Sequence, residues 1–139
     1  MIVLDTNVLS EPLKQEPEQQ VLAWLTSVDE EVGVTSISVG ELLTGVRALP
    51  AGRRREGLLE AIESTLRAFA GAVLPYDETA ARQYARLQES RRAAGPPLAV
   101  EDGMIAAICV VRGMTLATRN TADFTGLGLD LVDPWAASS

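Results

Sequence analysis

Residues 1–7 read MIVLDTN, and this stretch decides the predicted fold class. The apolar run 2–4 is short and rich in β-branched residues, which is typical of a buried strand. Asp5 ends that run, and Thr6 and Asn7 open a segment with helical spacing. Ligands of open α/β sheets bind at the carboxyl ends of strands, so Asp5 is a candidate metal ligand. Its alternative role is to cap the helix that follows.

Strand-like and helix-like segments alternate along the rest of the chain, which predicts a parallel sheet with helices on both faces. The predicted strands are 2–4, 32–35, 72–74, 115–118 and 129–132. The predicted helices are 7–13, 17–28 with Pro17 in the first turn, one that starts at Ser38, 54–69, 78–93 and 99–112. A length of 139 residues without repeats or a long linker predicts one domain over residues 1–139.

Composition narrows the function classes. The net charge of −7 makes the chain a poor general binder of polyanions, so any contact with nucleic acid must be local. The one cysteine, Cys109, lies in an apolar run, which predicts a buried side chain and a reducing compartment. No apolar run approaches the roughly 20 residues of a membrane span, and no targeting segment is visible. We therefore expect a cytoplasmic protein with no membrane partner.

Acidic and amide side chains stand where four segments meet one edge of the predicted sheet. They are Asp5, Glu41, the pair Glu101 and Asp102, and Asn120 with Asp123. Each of these residues also has a structural role that involves no metal. Glu41 can form a capping box with Ser38, and Glu101 and Asp102 can interact favourably with the helix dipole. Asn120 and Asp123 can be turn residues.

The joint pattern favours a metal site. Carboxylates about 5 Å apart repel by on the order of 3 kcal/mol per pair at an effective dielectric near 20. Such a cluster therefore needs a cation or raised pKa values. Oxygen ligands favour Mg²⁺ or Mn²⁺, and the absence of histidine excludes a histidine-based zinc site.

Five stretches in order carry a resemblance to a known family: 2–12 (IVLDTNVLSEP), 37–46 (ISVGELLTGV), 101–107 (EDGMIAA), 116–124 (LATRNTADF) and 132–135 (VDPW). They resemble PIN-domain ribonucleases, most closely the toxin subunits of VapBC and FitAB toxin–antitoxin pairs. The resemblance implies a three-layer α/β/α fold with strand order 3-2-1-4-5. Strands one and four would be neighbours, and Asp5 would face Asn120 across the site.

The resemblance also implies a Mg²⁺-dependent endoribonuclease toxin, with Mn²⁺ able to substitute, that hydrolyses RNA with a metal-activated water. The matching positions are Asp5, Asp102 and Glu41 as metal-binding acids (Glu41 directly or through a water), Asn120 as the fourth catalytic position, Asp123 as an alternative ligand, and Thr6 and Thr118 as auxiliary hydroxyls. Asn120 departs from the aspartate often found in the family, which weakens the case for a second metal ion. No RNA-binding residue is assigned.

The family implies partners as well. Its toxins bind an antitoxin whose C-terminal segment lies across the active-site groove, and they commonly form homodimers. The alternative is a weak or inactive PIN-fold scaffold that binds an antitoxin without cleaving RNA. The arginines at 53–55, Arg91 and Arg92 are either a solvated face or an RNA path.

Other phosphate enzymes fit the sequence less well. Aspartate-based phosphatases and receiver domains need a lysine late in the fold, and the only lysine is Lys14. A P-loop NTPase is excluded because the chain has no Gly-Lys-Ser/Thr motif.

Overall fold

The central feature is a five-stranded sheet in which every neighbouring pair is parallel, in the order β3-β2-β1-β4-β5. The computed structural model describes residues 1–136. Its elements are β1 (Ile2–Leu4), α1 (Thr6–Ser10), α2 (Gln19–Ser27), β2 (Val32–Thr35), α3 (Ser36–Arg47), α4 (Arg53–Ala68), β3 (Val73–Leu74), α5 (Glu78–Ala94), α6 (Val100–Arg112), β4 (Thr115–Ala117) and β5 (Leu131–Val132). The expected fold class and strand order are confirmed.

Strand β1 lies at the centre, between β2 and β4. Ile2 stands opposite Val32 on one side and Thr115 on the other, and Leu4 stands opposite Ala117. The chain builds the sheet outward from β1 in one direction through β3 and then returns to add β4 on the other side. The carboxyl ends of β1 and β4 therefore form the switch point at which open α/β sheets bind ligands.

Two apolar layers cover the faces of the sheet, because successive strand residues point to opposite sides. Ile2 and Leu4 belong to a buried cluster with Ile62 and other residues of α3 and α4. Val3 belongs to the opposite cluster, in which Ile105 is one of many buried residues from α5 and α6. Cys109 is buried in this second cluster, as the sequence predicts. Within residues 1–136, no helix has the length and apolar character to span a membrane.

Several helix boundaries differ from the sequence predictions, and a buried carboxylate accounts for the first of them. The predicted helix 7–13 is wrong in part, because α1 ends at Ser10 and a single 3-10 turn follows over Glu11–Leu13. Glu11 is buried, where its carboxylate pairs with Lys14 Nζ at 2.9 Å and accepts the Glu18 N–H at 3.0 Å. This contact turns the chain toward α2.

Two helix starts also shift. Helix α2 begins at Gln19, so Pro17 lies before its N-cap residue and not in its first turn. Helix α3 begins at Ser36, two positions before the predicted start, because the Thr35 side chain accepts the Ser38 N–H and caps the helix there.

Candidate active site

Asp5 is the buried centre of the site, with only 6% of its surface exposed. Its N–H donates to the Ala117 carbonyl at 2.9 Å, which ties the end of β1 to β4. Its Oδ1 accepts the Thr6 N–H at 2.6 Å, and its Oδ2 accepts the Thr118 hydroxyl at 2.7 Å. Burial raises the pKa of Asp5, while the bonds from Thr118 and Thr6 oppose that shift. Asp5 caps α1, and it also lies at the switch point, which is the position predicted for a metal ligand.

Thr6 connects Asp5 to the second carboxylate, Glu41. The Thr6 hydroxyl donates to Glu41 Oε1 at 2.7 Å and lies 2.8 Å from Ser38 Oγ. Since Thr6 has one hydroxyl proton and gives it to Glu41, Ser38 is the donor in its own bond to Thr6. The capping box between Ser38 and Glu41 does not form, because Thr35 caps α3. The exposed Glu41 is held instead by a residue 35 positions away.

Asp102 is the third carboxylate, in the first turn of α6. Its pKa is raised to about 6, mainly by burial and then by the charges of Asp5, Asp123, Glu41 and Glu101, in that order. Like charges act on a pKa in this way only when they lie close by. The fold thus brings Asp102 within electrostatic reach of Asp5 and Glu41. Asp102 is half-buried, whereas Glu101 is exposed.

The segment after β4 carries the remaining candidates. The Asn120 N–H donates to Thr118 Oγ1 at 3.2 Å, and the Asn120 residue is exposed. Asp123 is also exposed and lies in a 3-10 turn over Thr121–Phe124. Its charge contributes to the raised pKa of Asp102, so it lies within electrostatic reach of that carboxylate. Thr118 therefore links this segment to Asp5 through one hydroxyl.

The donors suit a hard divalent cation, but they are not closed around one point. Among residues 1–136, no group of three or more His, Cys, Asp or Glu side chains stands ready to hold a metal ion. In the same range, the ion pairs lie elsewhere, at Glu30, Glu11 and Glu78. Because none of these ion pairs involves a carboxylate of the site, the site carboxylates have no cationic partner in this range. Such charges attract Mg²⁺ or Mn²⁺, which prefer carboxylate oxygens.

An open cleft of about 990 Å³ adjoins the site between α3 and α4. Glu41 lies on its wall, and its floor is apolar, with Leu42, Val46, Leu58 and Ile62 among the lining residues. Lys14 also lines the cleft.

Two residues of α5, Gln88 and Arg91, bond to the segments that carry Asp102 and Asp123. The sequence alone predicts neither of these contacts. Gln88 belongs to no motif in the sequence, and its side chain is buried and bonded to the backbone of Leu98, just before α6. For Arg91 the sequence predicts either a solvated face or an RNA path. Its guanidinium donates to the carbonyls of Asp123 and Thr125. A polar residue one turn beyond Tyr84 on an otherwise packed helix face is the signal that could have found Gln88.

Comparison with known proteins agrees with this geometry. The PIN domain family matches residues 2–126. A VapC ribonuclease of Sinorhizobium fredii is 44% identical over 137 residues, which cover 97% of this chain and 98% of the relative. Toxin FitB of Neisseria gonorrhoeae is 42% identical over 137 residues, covering 97% and 99%. The solved structure of FitAB bound to an IR36 DNA fragment superposes with a TM-score of 0.94 at 40% identity, covering 100% and 99%. The chain belongs to the PIN-domain family, in the group that contains the VapC and FitB toxins.

Proposed function

We propose that the chain is a divalent-metal-dependent endoribonuclease and the toxin subunit of a type II toxin–antitoxin pair in the cytoplasm. The observation that carries the proposal is the acidic site at the β1–β4 switch point. Asp5 is buried there, Glu41 is tied to it through Thr6, and Asp102 has a pKa raised to about 6. The relative named VapC ribonuclease supports RNA as the substrate class.

Each residue of the site would have a separate role in binding the cation or in positioning its ligands. Asp5, Asp102 and Glu41 would hold Mg²⁺, with Mn²⁺ able to replace it, and Asp123 is a further carboxylate within reach. When bound, the cation supplies a water of lowered pKa and stabilises charge on the attacking and leaving oxygens. Thr6 and Thr118 fix the orientation of Glu41 and Asp5. The Asn120 amide can orient a water but adds no charge.

RNA cleavage by an Asp5→Asn variant tests this proposal. Asparagine is also a good N-cap residue, so α1 keeps its cap while the carboxylate is lost. Asp77→Asn is the matched control, because Asp77 caps α5 through a 2.9 Å bond to the Ala80 N–H, on another helix. We expect cleavage in Mg²⁺ by the wild type and by Asp77→Asn, and none by Asp5→Asn. Equal cleavage by all three proteins would contradict the proposal and indicate a contaminating nuclease.

A scaffold without nuclease activity is the second candidate, and two observations favour it. Asn120 lacks charge, and the acids among residues 1–136 are not closed into a ligand group. Calorimetric titration with Mn²⁺ separates the two candidates. Binding that is lost in Asp5→Asn supports the enzyme, whereas absence of both binding and cleavage in the wild type supports the scaffold.

The cleft between α3 and α4 is the proposed docking place of the antitoxin. A C-terminal segment there would cover the apolar floor and end beside Glu41. The FitAB complex supports a partner of this kind.

Gly45→Arg tests the docking place. Gly45 lines the cleft, and a Cβ there meets no atom within 4 Å, so the side chain fills the cleft without disturbing α3. Ala85→Arg on the exposed face of α5 is the control. With the toxin co-expressed with the product of the adjacent reading frame, we expect co-purification to fail for Gly45→Arg only. Unchanged co-purification would place the partner elsewhere.

The proposal includes a homodimer. Sedimentation of the purified toxin checks it, and a monomer at all concentrations would contradict it.

A further inference from the structure

The start of α6 is held by a buried amide on α5. Gln88 Oε1 accepts the Leu98 N–H at 3.0 Å, and Gln88 Nε2 donates to the Leu98 carbonyl at 2.9 Å. The same Nε2 donates to the Tyr84 hydroxyl oxygen at 3.1 Å. Gln88 is 7% exposed and Leu98 is 6% exposed, so water does not compete well for these bonds. Leu98 immediately precedes Ala99, the N-cap of α6.

A second contact fixes how close the first turn of α6 lies to α5. A Cβ on Gly103 would stand 2.7 Å from Tyr84 Cε2, which is too close for any real side chain. Glycine at 103 therefore lets the two helices touch at the residue next to Asp102. The backbone on both sides of Asp102 is thus held by α5, through Gln88 before it and Tyr84 after it.

Arg91, three residues beyond Gln88, holds the other acidic segment. Its Nη2 donates to the Asp123 carbonyl at 3.0 Å and to the Thr125 carbonyl at 3.2 Å. These carbonyls flank Phe124, which is buried in the core. Arg91 makes no ion pair with a carboxylate in the described part of the chain. It therefore binds the backbone of this segment and forms no ion pair with the Asp123 carboxylate.

We propose that Gln88 and Arg91 are the positioning residues of the acidic site, and that α5 is the element through which they act. The charges of Asp5 and Asp123 both repel Asp102, so the segments that carry these acids tend to separate. Gln88 and Arg91 oppose this by binding backbone groups of both segments. They set the spacing of the acids while leaving their negative charge available to a cation. The inference rests on the proposed function.

The test compares Gln88→Leu and Arg91→Ala with two controls. Arg92→Ala removes an exposed arginine at the adjacent position. Leu87→Ala lowers stability from the same helix, because Leu87 is buried, without touching either acidic segment through a hydrogen bond. Two quantities are measured on each full-length protein: the Kd for Mn²⁺ by calorimetry, and kcat and KM on a quenched-fluorophore RNA oligonucleotide.

We expect Gln88→Leu and Arg91→Ala to raise the Mn²⁺ Kd and lower kcat by about 10- to 100-fold, the usual effect of losing an outer-shell partner. We expect the KM for RNA to change little in comparison, because both side chains bond to backbone groups of the chain itself. Arg91→Lys restores part of the loss, since an ammonium can still donate to the two carbonyls. Leu87→Ala lowers the thermal midpoint but leaves the Kd and kcat near wild-type values.

Different outcomes overturn different statements. If both variants match Leu87→Ala in stability and keep the wild-type Kd and kcat, the positioning role is wrong while the proposed function stands. If Gln88→Leu does not fold, the half-buried Arg91 decides alone through Arg91→Ala and Arg91→Lys. If the wild type neither binds Mn²⁺ nor cleaves RNA, the proposed function fails and the inference fails with it.

Discussion

The Thr118 hydroxyl donates a 2.7 Å hydrogen bond to Asp5 Oδ2, between residues that are 113 positions apart. The pairing of β1 with β4 explains this contact. Leu4 stands opposite Ala117, so the next residue on each strand meets its counterpart at the edge of the sheet. A buried hydroxyl thus supports the carboxylate that the site depends on.

Removal of that hydroxyl should destabilise the protein. In Thr118→Val the shape is kept, but Asp5 loses a donor and the Asn120 N–H loses its acceptor. We expect the free energy of unfolding to fall by about 1.5 to 3 kcal/mol at neutral pH, the usual value for a hydrogen bond to a charged group. Urea denaturation measures this. Thr118→Ser, which keeps the hydroxyl, is the control, and equal losses in both variants would contradict the assignment.

Asp102 should make the folded protein less stable as pH rises. Its pKa is raised from 3.8 to about 6, mainly by burial and next by the charge of Asp5. Between pH 3.8 and about pH 6, Asp102 keeps its proton in the folded chain but releases it in the unfolded chain. The contribution of this protonated Asp102 to folding stability is complete below pH 3.8 and is lost as the pH rises through about 6.

Urea midpoints of the wild type and of Asp102→Asn check this sign. We expect the wild type to lose more stability than Asp102→Asn between about pH 4 and about pH 7. A larger loss in the variant would show that the pKa shift has the opposite direction.

Asn120→Asp should tighten metal binding. The new carboxylate adds a negative charge beside Thr118 and Asp5, so we expect the Mn²⁺ Kd to fall roughly tenfold. Without metal the same variant should be less stable, because the added charge repels the acids already there. Calorimetry and thermal melts measure the two effects. Gln19→Glu on α2 adds the same charge away from the site, and an equal effect there would refute the placement of Asn120.

Gly103→Ala should destabilise the protein although alanine favours a helix. The gain in helix propensity is about 1 kcal/mol. The clash with the Tyr84 ring forces a shift of α5 or α6 and costs about 1 to 3 kcal/mol. We expect a net loss of about 1 kcal/mol in urea denaturation. Gly57→Ala in α4 is the control, because a Cβ there meets nothing within 4 Å and should be stabilising.

The parallel sheet and the position of Asp5 could be predicted from local pattern and a general rule of parallel sheets, whereas the strand order was implied by the resemblance to PIN-domain ribonucleases. The apolar run 2–4 and the polar residues that end it place the carboxylate at the switch point. The helix predicted over 99–112 corresponds to α6, which ends where Gly113 takes a left-handed conformation with φ of 65°.

The partners of the site residues could not be predicted, because they are distant in sequence. The local signal paired Glu41 with Ser38, but Thr35 caps the helix and Glu41 binds Thr6 from another segment. Helical spacing placed Arg91 on an outer face, yet its acceptors are 32 and 34 positions away. Periodicity shows which side of a helix is polar, and it carries no information on what that side meets.

The 113 positions between Asp5 and Thr118 also govern when the site can exist. The ribosome synthesises β1 before β4, so Asp5 is present in a nascent chain long before its hydroxyl partner is made. A translation product that stops before residue 115 has neither β4 nor Thr118. Under the proposed function, a product that lacks β4 therefore lacks the hydrogen bond that supports Asp5, and we expect it to be inactive.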